Sequence, residues 1–525
     1  MNRIFSQLFP TPFRAAAIAV ALLCCLPADG RAEGSEARFA LVASPRTLDP
    51  RKISLDQEFF VVQDLHEGLL STDQTGAAAR GVARAWEVAE DGLSWEFELD
   101  PEARWSDGQR ITAGDFVRGF RLLFLPDTAS PYAASLNAIT GAQAIIAGTA
   151  DPETLGVIAV SPERLRIELD TPVTYLEELL SLPAATPARA GPDVHYSGAY
   201  MLVDQTANDR YTLVANPHYR DAAGVDITRL TYQVIENADT CVRLFRVGDI
   251  DICPYIPTDR AITMDDALRA QLYTPETVSA YYYALNVTRP PLDDRTVRRA
   301  LDLLIDRDVI SGDVLAGLMP PLRSIVPAGV LNYPDPGPTL DFLDMTRFER
   351  TQEAQRLLRA AGISPQSPLT LTLAHSAIPD EGPIALHVAD VWGRYGINVE
   401  FSIRDFAAHY EMFDANRDYD VATFGWLSDN SDATTFLELF LIGGSRNISN
   451  RTSDTVDRLL ARAAAQTDKA ARAALLVEAE QDILDSHAVL PLVSVRLAEL
   501  ISERVQGRQR LGGGPRLTRH LSIVP

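Results

Sequence analysis

The chain has 525 residues, of which 46% are hydrophobic and 23% are charged, and its formal net charge is −23. This composition is typical of globular proteins, and the length allows more than one domain with a sizeable core. An acidic balance this large argues against binding to nucleic acid or to an anionic membrane surface.

Residues 1–32 have the pattern of a cleavable secretory signal peptide. Arg3 and Arg14 supply a basic region, and the apolar stretch 15–26 is shorter than the roughly 20 residues of a membrane-spanning helix. A small-residue site predicts cleavage after Ala32. The alternative is an N-terminal membrane anchor. The cysteines in the apolar stretch do not follow the small residue that a lipoprotein signal needs, so we expect an exported protein without a lipid anchor.

Two cysteines, Cys241 and Cys253, remain after the signal peptide. The stretch between them, TCVRLFRVGDIDIC, has the pattern of a helix that returns into a strand, which could bring the two sulfurs together. Export makes a disulfide permissible. Two buried free thiols are the alternative.

Strand and helix patterns alternate along the mature chain and predict an α/β fold. A helical pattern at 58–70 follows an extended start. Two hairpins follow, at 86–100 with its turn at Asp91-Gly92 and at 154–170. The later predicted helices are 294–311, 347–362, 384–396 and 453–468, and the strands between them are 368–376 and 397–406.

The polar run RWSDGQRITAGDFV (104–117) has a backbone role in each of its parts. Asp107-Gly108 is a turn signal. Thr112 followed by Asp115 has the spacing of a capping box, and an apolar helical pattern comes next. We therefore predict a turn and a helix start here, not a site of chemistry.

The sequence contains none of the usual catalytic or cofactor signatures. H-E-x-x-H, C-x-x-C, G-x-S-x-G and the P-loop are all missing, and the eight histidines are scattered. We therefore expect no enzyme activity, no cofactor and no metal.

The same polar run also carries a family resemblance. W-S-D-G-x-x-I-T-A-x-D-F-V, with HEGLL before it and DTASPYAASL after it, resembles the periplasmic oligopeptide-binding proteins of ABC importers, extracellular solute-binding protein family 5. Three further collinear blocks extend the resemblance through nearly all of the mature chain: 197–220, 280–310 and 418–440.

The resemblance implies a two-lobe α/β periplasmic binding protein fold, class II of the cluster C type, with an additional inserted domain. The implied division is lobe I from 33–65, 193–279 and 497–525, the inserted domain from 66–192, and lobe II from 280–496.

It also implies how a ligand is held. Family members bind peptides as an extra strand through backbone hydrogen bonds, and the matching stretches here are Gly425 to Leu427 and Ser54 to Asp56. The aspartate that pairs with the peptide ammonium falls on Asp429. Judged by its local sequence alone, Asp429 has the alternative role of a helix or turn cap.

Aromatic residues at family positions are the expected walls of the pocket, with plain core packing as the alternative for each. They are Tyr132, Tyr282, Phe406 and Trp426.

The departures from the family concern the peptide's carboxylate end. Family members meet that carboxylate with Arg and His, whereas the matching places here hold Thr423, Glu381 and either Asp414 or Phe413. We therefore expect a ligand that is cationic, amidated or anchored at its amine end alone. The bridging cysteines of family members do not carry over either, because Ser279 and Leu427 stand in their places.

The resemblance implies a monomeric solute-binding protein that delivers peptides or related amines to an inner-membrane ABC permease. The alternatives are the same fold with another solute, such as a nickel complex, haem, a sugar or a modified amino acid, or a periplasmic hydrolase or chaperone.

Overall fold

A computed structural model describes most of the chain. The described residues are 35–73, 77–191, 193–274, 277–414, 417–428, 432–442, 447–466, 468–507 and 517–524. The predicted signal peptide and Asp429 lie outside these ranges, and the side chain of Asp414 is not described.

Strands and helices alternate as the sequence predicts. The strands are β1 Ser35–Leu41, β2 Leu70–Thr72, β3 Ala78–Arg80, β4 Ala83–Val88, β5 Ser94–Leu99, β6 Val157–Ser161, β7 Arg164–Glu168, β8 Tyr200–Thr206, β9 Arg210–Ala215, β10 Ile227–Val234, β11 Ile252–Cys253, β12 Leu272–Tyr273, β13 Ser279–Leu285, β14 Leu369–Ser376, β15 Ile397–Arg404, β16 Val421–Leu427, β17 Val489–Val493, β18 Glu499–Ile501, β19 Val505–Gln506 and β20 Ser522–Ile523. The helices are α1 Asp56–Leu65, α2 Ala113–Phe124, α3 Ala142–Ile146, α4 Leu176–Leu179, α5 Ala238–Arg246, α6 Thr258–Ile262, α7 Asp266–Arg269, α8 Arg295–Leu304, α9 Arg307–Val309, α10 Arg347–Ala360, α11 Glu381–Gly393, α12 Phe406–Asp414, α13 Thr434–Leu437, α14 Thr455–Ala464 and α15 Lys469–Ser486.

Three larger sheets organise these elements. A seven-stranded sheet has the order β12-β18-β11-β1-β10-β9-β8, a five-stranded sheet has the order β15-β14-β16-β13-β17, and a four-stranded sheet has the order β4-β5-β7-β6. The predicted α/β class is confirmed. The strands of the seven-, five- and four-stranded sheets come from the segments expected for lobe I, lobe II and the inserted domain. One residue, Ser279 at the start of β13, falls on the lobe I side of the expected boundary, and the boundaries themselves stay predictions.

Each large sheet has its own hydrophobic core. One buried cluster surrounds the five-stranded sheet and includes the fully buried β13. A second cluster lies between the four-stranded sheet and α2. Two smaller clusters pack on the seven-stranded sheet.

The polar run at 104–117 forms a turn and a helix start, as predicted. Gly108 has a φ of +85°, a backbone conformation that favours glycine. The Asp115 carboxylate accepts hydrogen bonds from the backbone N–H of Thr112 at 2.9 Å and from its hydroxyl at 3.0 Å. α2 begins directly after Thr112.

Residues 517–524 return to the start of the fold and bind the end of α1. The Thr518 hydroxyl donates to Asp64 Oδ2 at 2.7 Å, and the Tyr232 hydroxyl donates to the same oxygen at 2.8 Å. Burial raises the pKa of Asp64 to about 7, against the opposing effect of these hydrogen bonds.

A buried ion-pair network lies beside Asp64. Both Nε and Nη2 of Arg220 lie 2.9 Å from Glu67 carboxylate oxygens, and Arg519 Nη1 is 3.4 Å from Oε1. Burial opposes the ionisation of Glu67, but Arg519 and Arg220 outweigh it and hold the pKa of Glu67 below its usual value. We call Asp64, Glu67 and their partners the tail cluster.

The sulfurs of Cys241 and Cys253 are bonded in the structure. Cys241 lies on α5 and Cys253 on β11, and their Cα atoms are 6.0 Å apart, a separation typical of disulfides. The helix that returns into a strand brings the two residues together.

Within the described part of the chain, no helix has both the length and the apolar character needed to cross a membrane.

Candidate functional site

The five-stranded sheet contains a crevice between two of its parallel strands. Among the described residues, β14 and β16 pair at two positions, Leu373 with Val421 and Ala374 with Ala422. Beyond these positions β14 continues beside β15, while β16 continues beside β13. The carboxyl ends of β14 and β16 therefore separate, and such crevices are where open α/β sheets bind ligands.

A buried carboxylate lies in this crevice. Glu381 is the first residue of α11, and its side chain comes close to the two separating strands. Its Oε2 accepts hydrogen bonds from the Thr423 hydroxyl at 2.7 Å and from the Ser376 backbone N–H at 2.8 Å. Thr423 is on β16 and Ser376 ends β14, so one carboxylate bridges the gap between them.

His409 of α12 approaches the same place and is 1% exposed. Its Nε2 lies 2.7 Å from the backbone carbonyl oxygen of Thr423. Burial lowers the pKa of His409, with Arg404 and His375 adding to the effect, while the Thr423 carbonyl and Glu381 oppose it. A neutral ring whose Nε2–H donates to the carbonyl fits these contacts. Its Nδ1 is then a buried acceptor without a hydrogen-bond partner among the described residues.

The next residue, Tyr410, reaches the edge of β16. Its hydroxyl donates to the Gly425 carbonyl oxygen at 3.0 Å and accepts from the Gly425 N–H at 3.1 Å. The ring packs against Phe406 and Phe424, with centroid distances of 4.7 and 5.5 Å. α12 thus supplies two polar side chains to one strand edge.

A cation also lies near the crevice. Arg404 ends β15, and its Nη1 is 2.8 Å from the Met412 sulfur, a weak hydrogen-bond acceptor. Arg404 is not one of the positions at which the family resemblance places the partners of the ligand's carboxylate. It lies on β15, the strand beside β14.

Five of the predicted site residues lie on β16 or at the start of α12. Thr423 is fully buried, Gly425 and Trp426 are half-buried, and Leu427 and Phe406 are 44% and 57% exposed. The Trp426 indole donates to the Thr435 hydroxyl at 3.0 Å. The structure therefore brings these residues to one side of the crevice.

The other predicted contacts lie around the start of α1. Ser54 is exposed and its hydroxyl accepts from Arg46 at 2.7 Å, and Asp56 is the first residue of the helix. Tyr132 is 7% exposed and packs edge-on against Phe59 of α1, with a centroid distance of 6.2 Å. These residues form a second group, in the segments expected for lobe I and the inserted domain.

Tyr282 differs from the cleft-facing orientation implied by the resemblance. Its side chain is fully buried and its hydroxyl donates to the Ile325 carbonyl. β13 is an inner strand between β16 and β17, and all seven of its residues are buried. In this conformation Tyr282 offers no surface to a ligand. Phe413, at the position with the alignment ambiguity, is also a core residue, 2% exposed.

Sequence reasoning missed Ser376, Arg404, His409 and Tyr410. No sequence motif contains these residues. They lie at the ends of β14 and β15 and on α12, and these elements come together only in the folded protein. Across the described residues, no group of three or more His, Cys, Asp or Glu side chains is placed to hold a metal ion.

Comparisons with known proteins agree on one family. The family model described as "Bacterial extracellular solute-binding proteins, family 5 Middle" matches residues 78–447. The periplasmic murein peptide-binding protein MppA of Escherichia coli (strain K12) is 32% identical over 478 residues, 88% of each chain. The probable deoxycholate-binding periplasmic protein YgiS of the same strain is 30% identical over 485 residues, 90% of each chain.

Solved structures agree with this match. The unliganded open form of the murein tripeptide-binding protein MppA superposes with a TM-score of 0.81 at 30% identity, covering 94% of this chain and 98% of that chain. The predicted two-lobe periplasmic binding protein fold is thereby confirmed.

Proposed function

Because the chain belongs to the bacterial extracellular solute-binding proteins of family 5, we propose that it captures a peptide or related amine-bearing ligand between two closing lobes and delivers it to an inner-membrane ABC importer. It acts in this proposal as a monomeric binding protein in the periplasm, without catalysis. Export uses the predicted signal peptide, 1–32, and leaves no lipid anchor.

The observation that carries the proposal is the edge of β16 beside the crevice, which no strand among the described residues covers beyond Ala422. β13 pairs with one side of β16 from Ser279–Leu427 to Leu285–Val421. On the other side, β14 pairs only as far as Ala422. An extended peptide can add itself to such an edge through main-chain hydrogen bonds, which tolerate different side chains.

The amine end of the ligand is assigned to Asp429, which follows β16 by two residues. A carboxylate in a closed, water-poor cleft attracts an ammonium strongly because screening there is weak. Asp429→Asn is expected to weaken binding of tri-alanine amide at least tenfold, measured by calorimetry. Asp390→Asn, an exposed aspartate on the opposite half of α11 from Glu381, is the matched control. Unchanged affinity of the Asp429 variant would remove the amine-anchor role.

The other end of the ligand is proposed to be amidated or cationic. Glu381 lies in the crevice and its negative charge disfavours a second carboxylate there. Tri-alanine amide is therefore expected to bind about tenfold more tightly than the tri-alanine free acid, which corresponds to roughly 1.4 kcal/mol. Tighter binding of the free acid would contradict the proposal and would point to Arg404 as the partner of the carboxylate.

A non-peptide solute is the second candidate. It is favoured by the relative named for deoxycholate, which matches as much of the chain as the relative named for murein peptides. Native mass spectrometry of freshly purified protein separates the candidates, because a co-purified ligand reveals its mass. A peptide series of masses supports the first candidate, and a single sterol-like or metal-complex mass supports the second.

A further inference from the structure

We infer that the Tyr410 hydroxyl closes one strand-pairing position of β16 and thereby limits how many residues of a ligand's main chain can pair with this edge. The inference rests on the proposed binding of an extended ligand along β16. It assigns a specificity role to a residue outside the predicted site.

The direction of the β16 backbone groups defines the pairing positions. The Ser428 N–H donates to the Val278 carbonyl, on the side of β13. In an antiparallel pair these directions alternate with a period of two residues. The main-chain groups of Leu427, Gly425 and Thr423 therefore point away from β13 and toward the crevice.

Two of these three positions are closed by adjacent residues of α12. His409 Nε2 binds the Thr423 carbonyl, and the Tyr410 hydroxyl binds both the N–H and the carbonyl of Gly425. The hydroxyl therefore makes the two hydrogen bonds that one residue of an added strand would make.

The glycine at 425 permits this close approach. A Cβ at that position would lie 3.3 Å from the Tyr410 hydroxyl oxygen, closer than most such contacts. Leu427, two residues further along, is 44% exposed. The pairing position nearest to Asp429 in the sequence therefore has the most exposed side chain of the three.

The spacing of these positions predicts a length dependence. Residues of an added strand pair at every second position, so a two-residue ligand can pair at Leu427 alone. A ligand of three or more residues that follows the edge reaches Gly425 and has to displace the Tyr410 hydroxyl.

The test compares alanine peptides of two, three and four residues, each as free acid and as amide, by calorimetry. Tyr410→Phe removes the hydroxyl and keeps the packed ring. Tyr283→Phe is the matched control, because its buried hydroxyl has no hydrogen-bond partner among the described residues. We expect Tyr410→Phe to bind the three- and four-residue peptides about fivefold more tightly, the effect of one net hydrogen bond, and the dipeptides as before.

The amide hydrogen exchange of Gly425 provides a second measurement on the ligand-free protein. It is expected to accelerate in Tyr410→Phe and to stay unchanged in Tyr283→Phe. Unchanged exchange in Tyr410→Phe overturns the inference, as does an equal or absent gain in affinity for all peptide lengths. If the wild-type protein and both variants bind no peptide at all, the proposed function fails and the inference fails with it. Peptide binding without the length effect overturns the inference alone.

Discussion

The tail cluster and the β14–β16 crevice both bury several polar groups, yet they differ in what surrounds them. In the tail cluster, Asp64 and Glu67 meet partners supplied by distant parts of the same chain. In the crevice, Glu381 and His409 lie beside a strand edge that no other strand covers beyond Ala422 in the described part of the chain. The tail cluster is closed by its own chain and concerns the stability of the fold, whereas the crevice groups lie next to the strand edge that is proposed to bind a ligand.

The largest expected effect tests the structural side of this comparison. Glu67→Ala leaves Arg220 and Arg519 without their buried partner and is expected to lower the free energy of unfolding by about 3–5 kcal/mol, as measured by urea denaturation. Glu36→Ala is the control, because Glu36 pairs with Arg229 on the surface and is expected to change stability by less than about 1 kcal/mol. Equal effects of the two variants would contradict the role of the tail cluster.

A pH-dependent effect of intermediate size is expected from Asp64. Its pKa is about 7 in the folded protein and about 4 when unfolded, so between these values the folded state holds a proton that the unfolded state has released. Its contribution to stability is therefore full below pH 4 and falls as the pH rises to 7. Relative to wild type, Asp64→Asn is expected to gain about 2–3 kcal/mol between pH 5 and pH 8.

Urea denaturation of both proteins at each pH measures this difference. Taking the difference from wild type removes the contributions of other titrating groups that the two proteins share. A constant difference across the pH range would show that Asp64 does not keep its proton in the folded protein.

The smallest expected effect on stability comes from the crevice, where ligand binding changes instead. Glu381→Gln keeps an oxygen for Thr423 and Ser376, so the free energy of unfolding is expected to change by about 1 kcal/mol or less. The preference for amidated over free-acid tri-alanine is expected to fall about tenfold, because the negative charge is gone.

Glu480→Gln is the matched control for this measurement. Glu480 is a buried carboxylate of the same core, bound by the backbone N–H groups of Ile325 and Val326. Its replacement is expected to leave peptide preference unchanged. The distinction between the tail cluster and the crevice is contradicted if Glu381→Gln strongly lowers the free energy of unfolding and leaves the preference for amidated tri-alanine unchanged.

Local patterns predicted most elements well. The hairpin at 86–100 and the helix start at Thr112 depend on nearby residues, and both occur as expected. The helix predicted for 58–70 instead ends at Leu65. Gly68 is a local stop signal that the periodic pattern overran, whereas the contacts of Glu67 with Arg220 and Arg519, about 150 and 450 residues further along the chain, cannot be found from local patterns.

The same limit applies to the candidate site. Thr423 and Glu381 stood out in the sequence as departures from the family. The hydrogen bond between them forms only in the folded sheet, so the sequence did not predict it. Tyr410 gave no signal, because its role depends on the separation of β14 from β16. Tyr282 was placed by analogy with the family, whereas in the folded protein its side chain is fully buried and its hydroxyl donates to the Ile325 carbonyl.

The bond between Thr518 and Asp64 joins residues 454 positions apart. A ribosome adds about 5–20 residues per second, so the first of these residues waits roughly 20 to 90 seconds for the second to be made. During that interval the seven-stranded sheet also lacks β18, whose residues are 499–501. The seven-stranded sheet, which contains β1, is therefore among the last parts that can finish folding, so a newly made chain stays incompletely folded for as long as its synthesis lasts.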